Sequence, residues 1–228
     1  MKARIPLKVC GVTRAAEMDV LGALGVDYAG VWHGVGGRAE RPLAHCHDLI
    51  DAGRAAGVEP VLVTFISDPT RLRDLICSSG VGWLQLHGFQ TPATVAAVRR
   101  GSPDGTRIIK VLHVQGSACA EEAVIPAYER AGVDVLLFDS IGPGGRLGST
   151  GVSLEPEAVA ALMPRLSRPF MLAGGLTAGA DPALVAIAHD PACVGIDVDT
   201  GARGGHGAID AANVKAIRDA FNGEPIHH

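Results

Sequence analysis

The stretch from Glu59 to Arg71, EPVLVTFISDPTR, contains one complete strand-to-helix unit. Its first part is apolar and rich in β-branched residues, which predicts a strand over Glu59–Ile66. Asp68 and Pro69 then provide helix start signals, because proline is favoured in the first helical turn. A strand that leads directly into a helix is typical of β/α units, in which successive strands run parallel.

The same pattern recurs along the whole chain, so strand candidates alternate with helix candidates. The strand candidates are Ile5–Val12, Asp27–His33, Glu59–Ile66, Gly82–His87, Arg107–Leu112, Asp134–Asp139, Pro169–Ala173 and Val194–Asp199. The helix candidates are Arg14–Leu24, Leu43–Ala56, Pro69–Cys77, Thr91–Arg100, Cys119–Ala131, Glu155–Leu162, Pro182–His189 and Ala211–Phe221.

Such alternation implies right-handed crossovers and a parallel sheet. Eight units in 228 residues predict an α/β fold, a single (β/α)8 TIM barrel with eight parallel strands. A doubly wound open sheet is the rival, but the first turn, Cys10–Thr13, lacks the second glycine of a dinucleotide-binding motif. We expect residues 1–223 to form one barrel domain and residues 224–228 to be a tail that could derive from a purification tag.

Composition excludes several classes of protein. The chain has 20 basic and 24 acidic residues, a net charge of −4, and only 4% aromatic residues. No long basic cluster and no long apolar run occurs, so we expect no nucleic acid or membrane partner. Five widely spaced cysteines without a CxxC motif predict neither disulfides nor a zinc site, and His45 and His47 diverge on a helix. We expect a cytoplasmic protein without a signal peptide, a metal or a cofactor.

The first strand ends with two residues that could carry chemistry. The alternation of side chains along a strand places Lys8 and Cys10 on the same face, which we expect to point into the barrel. An adjacent ammonium is expected to lower the pKa of a thiol and so favour its use as a nucleophile or base. The alternative is that Cys10 is a small buried packing residue.

Asp139 ends the sixth strand after an apolar run. Burial there would favour a protonated carboxyl and hence a general acid, whereas the alternative is a helix cap or a residue that braces the loop. Gln85 and His87 project together from the fourth strand and either line the pocket or form a buried hydrogen-bonded pair. Active sites of barrels lie at these carboxyl ends of the strands.

Glycines after the last two strands indicate an anion site. Gly174 and Gly175 follow strand seven, and Thr200 and Gly201 follow strand eight. Barrels commonly build phosphate sites from backbone N–H groups at these two positions.

Seven motifs in order along the chain resemble those of the phosphoribosylanthranilate isomerases of tryptophan biosynthesis. They are Lys8–Val12, Asp27–Gly30, Gln85–Gly88, Asp139–Ser140, Gly148–Gly151, Leu172–Leu176 and Gly195–Val198. The resemblance implies a (β/α)8 barrel that needs no cofactor and converts an aminoaldose phosphate into an aminoketose phosphate by an Amadori rearrangement. It also implies that Cys10 is the general base and Asp139 the general acid. The residues expected to contact this phosphorylated sugar are Lys8, Arg38, Arg41, Gln85, His87, Gly151, Gly174, Gly175, Asp197, Thr200 and Gly201.

The chain departs from the family pattern in two places. After strand two the family has a Ser-Pro-Arg segment whose arginine holds the anthranilate carboxylate. Here Arg38 is nearest in register and Arg41 competes with it. After strand eight, Asp199 stands where the family has a serine, and a carboxylate beside a phosphate is repulsive. Either Asp199 points away, or the ligand is not the usual phosphate.

The leading hypothesis is therefore an isomerase acting on N-(5-phosphoribosyl)anthranilate or a closely related phosphoribosylamine, as a monomer or homodimer. One alternative is a paralogue of a specialised pathway with a different substrate, which would keep Cys10 and Asp139 and change the residues that read the substrate. Another is a non-catalytic barrel that binds sugar phosphates or other anions. Histidine-pathway isomerases fit less well, because they place an aspartate where Cys10 stands.

Overall fold

The computed structural model describes residues 4–35, 41–148 and 151–223, so the expected tail over 224–228 lies outside the described residues. The strands are β1 Leu7–Val9, β2 Tyr28–Trp32, β3 Glu59–Thr64, β4 Trp83–Leu86, β5 Arg107–Gln115, β6 Ala118–Cys119, β7 Val135–Ser140, β8 Phe170–Leu172 and β9 Cys193–Val198. The α-helices are α1 Ala15–Ala23, α2 Leu43–Ala55, α3 Pro69–Ser79, α4 Pro92–Gly101, α5 Ile125–Arg130, α6 Pro156–Leu162, α7 Pro182–Ala188 and α8 Ala211–Asn222.

All strands except β6 pair in parallel, in the order β4-β3-β2-β1-β9-β8-β7-β5. Pairing of β4 with β5 closes the sheet into a barrel, which confirms the predicted (β/α)8 architecture over the doubly wound alternative. The first and last strands of the chain are neighbours, and their register sets Lys8 opposite Asp197. This pairing brings residues from both ends of the sequence to one place inside the barrel.

Several helices begin where their start signals predict. Asp68 accepts a hydrogen bond from the backbone N–H of Arg71, and Thr91 caps α4 in the same way through Thr94. A proline follows each cap in the first turn, where its missing N–H costs no helical hydrogen bond. No helix of the described ranges is long and apolar enough to cross a membrane.

One predicted helix boundary is wrong. The sequence pattern starts a helix at Cys119, but β5 continues to Gln115, turns at Gly116 with φ of 57°, and pairs antiparallel with Ala118–Cys119. The helix α5 begins only at Ile125. Glycine adopts the left-handed region readily and so permits this tight turn. The resulting hairpin of β5 and β6 lengthens β5 at the carboxyl end of the barrel.

Apolar side chains form two separate layers. Val61 and Val63 of β3 point into the barrel with Ile109, Val111 and Leu137, whereas residues of the other parity pack against the helices. This alternation is the one expected for strands that are buried on both faces. The composition rich in branched aliphatic residues follows from these two layers.

A buried group of charged residues braces the chain after β4. Lys110 on β5 is fully buried, donates to the carbonyl oxygen of Gly88 at 2.8 Å, and lies 3.8 Å from Oε1 of Glu121. His113 contacts Glu121 through Nδ1 at 2.6 Å and the carbonyl oxygen of His87 through Nε2 at 2.9 Å. Side chains of β5 thus hold the backbone of two successive residues at the end of β4.

Burial lowers the pKa of Lys110 to about 8, although Glu121 acts in the opposite direction. We predict that Glu121→Gln reduces the free energy of unfolding by about 3 kcal/mol at neutral pH, because the ammonium loses its carboxylate. The variant lowers the pKa of Lys110 further, so its deficit should shrink above about pH 8, where Lys110 is neutral in both folded proteins. Urea unfolding at a series of pH values measures both effects.

Glu122→Gln is the matched control, because Glu122 is the neighbouring carboxylate but its side chain is 45% exposed. It should change the free energy of unfolding by no more than about 0.5 kcal/mol. An equal deficit for both variants, or a deficit for Glu121→Gln that grows with pH, would contradict the assigned role of the buried cluster.

Candidate active site

A pocket opens at the carboxyl ends of the barrel strands. It gathers most of the residues that the sequence singled out. The expected site residues that line it are Cys10, His87, Asp139, Gly151, Gly174, Gly175, Asp197, Thr200 and Gly201. Trp32, Gly148, Ala173, Leu176 and Asp199 are the other described residues that line it.

Cys10 follows β1 directly and is 5% exposed. Its Sγ lies 3.3 Å from Nζ of Lys8, and the indole N–H of Trp32 donates to it at 3.1 Å. Gly30 on β2 is required by this arrangement, because a Cβ at that position would come within 2.6 Å of Sγ. Residues of β1 and β2 therefore pack closely around the thiol, which faces the pocket on its remaining side.

Lys8 does not line the pocket; it lies beneath it. Its ammonium is fully buried and donates to Oδ2 of Asp197 at 2.7 Å, a shorter contact than the one to Cys10. Oδ1 of Asp197 is buried and has no hydrogen-bond partner among the described residues. Burial lowers the pKa of Lys8, but Asp197 and Cys10 outweigh it, so the pKa stays above its ordinary value.

The expectation that Lys8 lowers the pKa of the thiol below its ordinary value is wrong for this structure. Burial raises the pKa of Cys10 to about 12, and Asp197 and Asp199 add to that effect. Lys8 and the indole of Trp32 act in the expected direction but do not compensate. The sequence showed the ammonium two residues away and did not show the carboxylate that faces it from β9.

Asp139 approaches the pocket from the end of β7 and contacts His87. The Nε2 atom of His87 lies 3.2 Å from Oδ2 of Asp139, while Oδ1 accepts the backbone N–H of Ser140 at 2.9 Å. Gln85 lies below and donates its amide N–H to Nδ1 of His87 at 3.1 Å. In this bond Nδ1 is the acceptor, while Nε2 lies beside the carboxyl group without a hydrogen-bond partner among the described residues. Gln85 thus supports His87 from outside the pocket wall.

The loops after β8 and β9, which contain the glycines, form another part of the pocket wall. Gly174 and Gly175 have φ of 85° and 60°, a region that only glycine adopts readily. A Cβ on Gly174 would come within 2.8 Å of Oγ of Ser140. Thr200 and Gly201 belong to a short 3₁₀ turn directly after β9. Backbone from two loops therefore converges on one side of the pocket.

Asp199 does line the pocket, and its charge is balanced by a residue that the sequence reading missed. Arg203 donates to Oδ1 of Asp199 at 2.7 Å and also to the carbonyl oxygens of Cys10 and Gly11. Its side chain is only 6% exposed. The carboxylate beside the glycine wall is therefore paired with a buried guanidinium, an arrangement not among the two that the sequence suggested.

The two candidate arginines cannot both be placed. Arg41 lies in a neighbouring hollow with Thr13, Glu17 and Arg203, and its Nε donates to the carbonyl oxygen of Thr13 at 3.5 Å. Arg38 lies outside the described residues. Arg41 is thus separated from the pocket that holds Cys10.

Trp32 and Arg203 are the contacts of Cys10 that sequence reasoning missed. Trp32 ends β2 and shares the inward parity of Gly30, which was a usable signal. Asp199 and Arg203 are four residues apart and follow the last barrel strand, and this spacing was the only hint of the ion pair. Within the described ranges, no group of three or more His, Cys, Asp or Glu side chains is arranged to hold a metal ion.

Comparisons with known proteins identify the family to which the chain is similar. A sequence model described as N-(5'phosphoribosyl)anthranilate (PRA) isomerase matches residues 7–220. The N-(5'-phosphoribosyl)anthranilate isomerase of Azorhizobium caulinodans is 35% identical over 202 residues, which cover 86% of this chain and 82% of the relative. The corresponding protein of Thermosynechococcus vestitus is 33% identical over 219 residues, which cover 94% and 89%.

The fold is also shared with a solved structure of this family. The N-(5'-phosphoribosyl)anthranilate isomerase of Pyrococcus furiosus superposes with a TM-score of 0.75 at 17% identity, covering 95% of this chain and 98% of the other. Because the family match extends from β1 to α8 and includes every strand end that builds the pocket, the chain is an isomerase that belongs to the N-(5'-phosphoribosyl)anthranilate isomerase family.

Proposed function

We propose that this chain catalyses the Amadori rearrangement of N-(5-phosphoribosyl)anthranilate to the corresponding 1-deoxyribulose phosphate, with Cys10 as general base and Asp139 as general acid. The observation that carries the proposal is that a thiol and a carboxyl group face one pocket from β1 and β7, two strands separated by β8 and β9. The domain proposed to carry the reaction is a single barrel of residues 1–223.

The reaction needs one group that donates a proton and one that accepts it. Asp139 would protonate the ring oxygen of the ribose, so that the ring opens to an iminium ion. Cys10, as the thiolate, would then remove the proton from C2′ to form an enolamine, which tautomerises to the ketone. Positioned acid and base groups each contribute about 10²–10⁴-fold to such steps.

The pocket walls fit the remaining parts of a phosphorylated sugar. Backbone N–H groups of Gly174, Gly175 and Gly201 are proposed to hold the phosphate, at the loops where barrels commonly bind it. The pairing of Asp199 with Arg203 removes the net repulsion that the carboxylate alone would cause.

We predict that Cys10→Ala and Asp139→Asn each lower kcat about 10²–10⁴-fold, because each removes a proton-transferring group. N-(5-phosphoribosyl)anthranilate generated in situ is the substrate, and loss of its fluorescence is the measurement. Absence of turnover by the unaltered protein, even at high enzyme concentration, would rule out this substrate.

Matched controls separate the loss of a proton-transferring group from the loss of a cysteine or aspartate elsewhere in the protein. Cys77→Ala removes an exposed cysteine of α3, and Asp74→Asn removes an exposed carboxylate of the same helix. Both should keep kcat within about twofold of the unaltered value, since surface substitutions away from the site change little. If Cys10→Ala turned over the substrate at the unaltered rate, Cys10 would not be the base.

The anthranilate carboxylate is proposed to bind Arg38 and not Arg41, because Arg41 lies in the neighbouring hollow. We predict that Arg38→Met raises KM at least about tenfold, the effect of losing one charge-assisted pair of about 1.4 kcal/mol, whereas Arg41→Met leaves KM within about threefold. Steady-state kinetics on both variants test this assignment.

The same experiment addresses a paralogue with a different substrate. A phosphoribosylamine without a carboxylate should be a poorer substrate than the anthranilate compound, and Arg38→Met should remove that preference. Equal turnover of both compounds by the unaltered enzyme would instead favour the specialised paralogue.

A further inference from the structure

Three ionisable groups lie in a row beneath the pocket. Nζ of Lys8 lies between Sγ of Cys10 at 3.3 Å and Oδ2 of Asp197 at 2.7 Å. The exposed fractions of the three residues are 0% for Lys8, 5% for Cys10 and 6% for Asp197. A lysine that donates to two acceptors in this way connects the thiol of β1 with a carboxylate of β9.

The charge of this row limits where the thiol proton can go. With a protonated thiol, the ammonium and the carboxylate balance each other and the buried row is neutral. Loss of the thiol proton to solvent would leave one uncompensated negative charge in the barrel, which is costly in a buried site. Transfer of that proton to Asp197 would create the thiolate while the net charge of the row stays zero.

We propose that Asp197 is a positioning residue that accepts the Cys10 proton through Lys8. The S–H bond breaks and its proton binds Nζ, while one N–H proton of Lys8 passes to Oδ2 of Asp197. The thiolate keeps the electron pair, Lys8 remains an ammonium, and the carboxyl group becomes neutral. The thiolate then stands beside the ammonium, ready to take the C2′ proton.

The other two carboxyl groups of the pocket have partners of their own. Asp199 is bound by Arg203, and Asp139 accepts the backbone N–H of Ser140 on the other side of the pocket. Trp32 supplies a neutral N–H donor from β2. Among these neighbours, Asp197 is the carboxylate that reaches Cys10 through a shared cation. Burial also raises the pKa of Asp197, which favours its acceptance of a proton, although Lys8 opposes this.

The pH dependence of Cys10 alkylation tests the proposal. Iodoacetamide reacts with the thiolate, which displaces iodide, and mass spectrometry of the Cys10 peptide distinguishes this residue from the other cysteines. In Asp197→Asn, Lys8 has no carboxylate and should pair with a stable thiolate. We expect alkylation at neutral pH to be at least about tenfold faster than in the unaltered protein, which corresponds to a fall of one pKa unit.

Two further variants serve as comparisons for the alkylation rate of Asp197→Asn. Lys8→Met removes the cation that stabilises the thiolate and should slow alkylation below the unaltered rate. Asp199→Asn removes a carboxylate that also raises the pKa of Cys10 but is bound by Arg203, so it should accelerate alkylation less than Asp197→Asn does. Unchanged alkylation in Asp197→Asn, or equal acceleration in Asp199→Asn, would overturn the proposal. If the asparagine variant does not fold, Asp197→Ser removes the same carboxylate and carries the same expectation.

The proposal rests on the proposed role of Cys10 as the base, but alkylation needs no substrate. Faster alkylation of Asp197→Asn together with absent turnover of N-(5-phosphoribosyl)anthranilate would reject the proposed function and leave the relay standing. The reverse combination would reject the relay alone. With substrate, kcat/KM of Asp197→Asn should rise with pH, because its thiol must lose a proton to solvent, whereas in the unaltered enzyme the thiol proton stays within the row and kcat/KM should not rise on its account.

Discussion

The pairing of β1 with β9 is the contact on which the rest of the structure depends. It joins the first strand of the chain to the last, and together with the pairing of β4 with β5 it leaves the barrel strands without a free edge. Closure satisfies the backbone groups of both strands and directs all carboxyl ends of the barrel strands to one side. The same register places Lys8 opposite Asp197, so the pairing of these two strands also forms the buried ion pair beneath the pocket.

Charge pairing is the second constraint on the interior. Each buried cation described above has a carboxylate partner: Lys8 with Asp197, Lys110 with Glu121, and Arg203 with Asp199. Such pairs add little net stability compared with apolar residues, but removal of one partner is costly. Their value in this barrel is positional, because each pair fixes a strand end or loop that borders the pocket.

Much of the fold follows from local pattern, since periodicity reports which face of a strand or helix is buried. Periodicity predicts all eight barrel strands, and the residues that favour helix starts predict where α3 and α4 begin. The strand ends in turn predict that Cys10 and Asp139 face one pocket. Local pattern fails where a turn reverses the chain, as at Gly116.

The direction of the pKa shift of Cys10 could not be predicted from sequence for a different reason. Burial of the thiol raises this pKa most. The ammonium that lowers it is two residues away, whereas the carboxylate of Asp197, which opposes the ammonium, lies 189 positions from Lys8 in the sequence. The register between strands decides such distances, and a single sequence does not show register. The same limitation applies to Arg203, whose side chain joins the loop after β9 to Cys10 and Gly11 after β1.

The raised pKa of Cys10 also has a consequence for the lifetime of the enzyme. Peroxides and other oxidants attack the thiolate far faster than the thiol, so a cysteine that is protonated at rest is a poor target for them. In this barrel, burial of the thiol, together with the carboxylates of Asp197 and Asp199, favours the protonated form of Cys10 and so slows its oxidation.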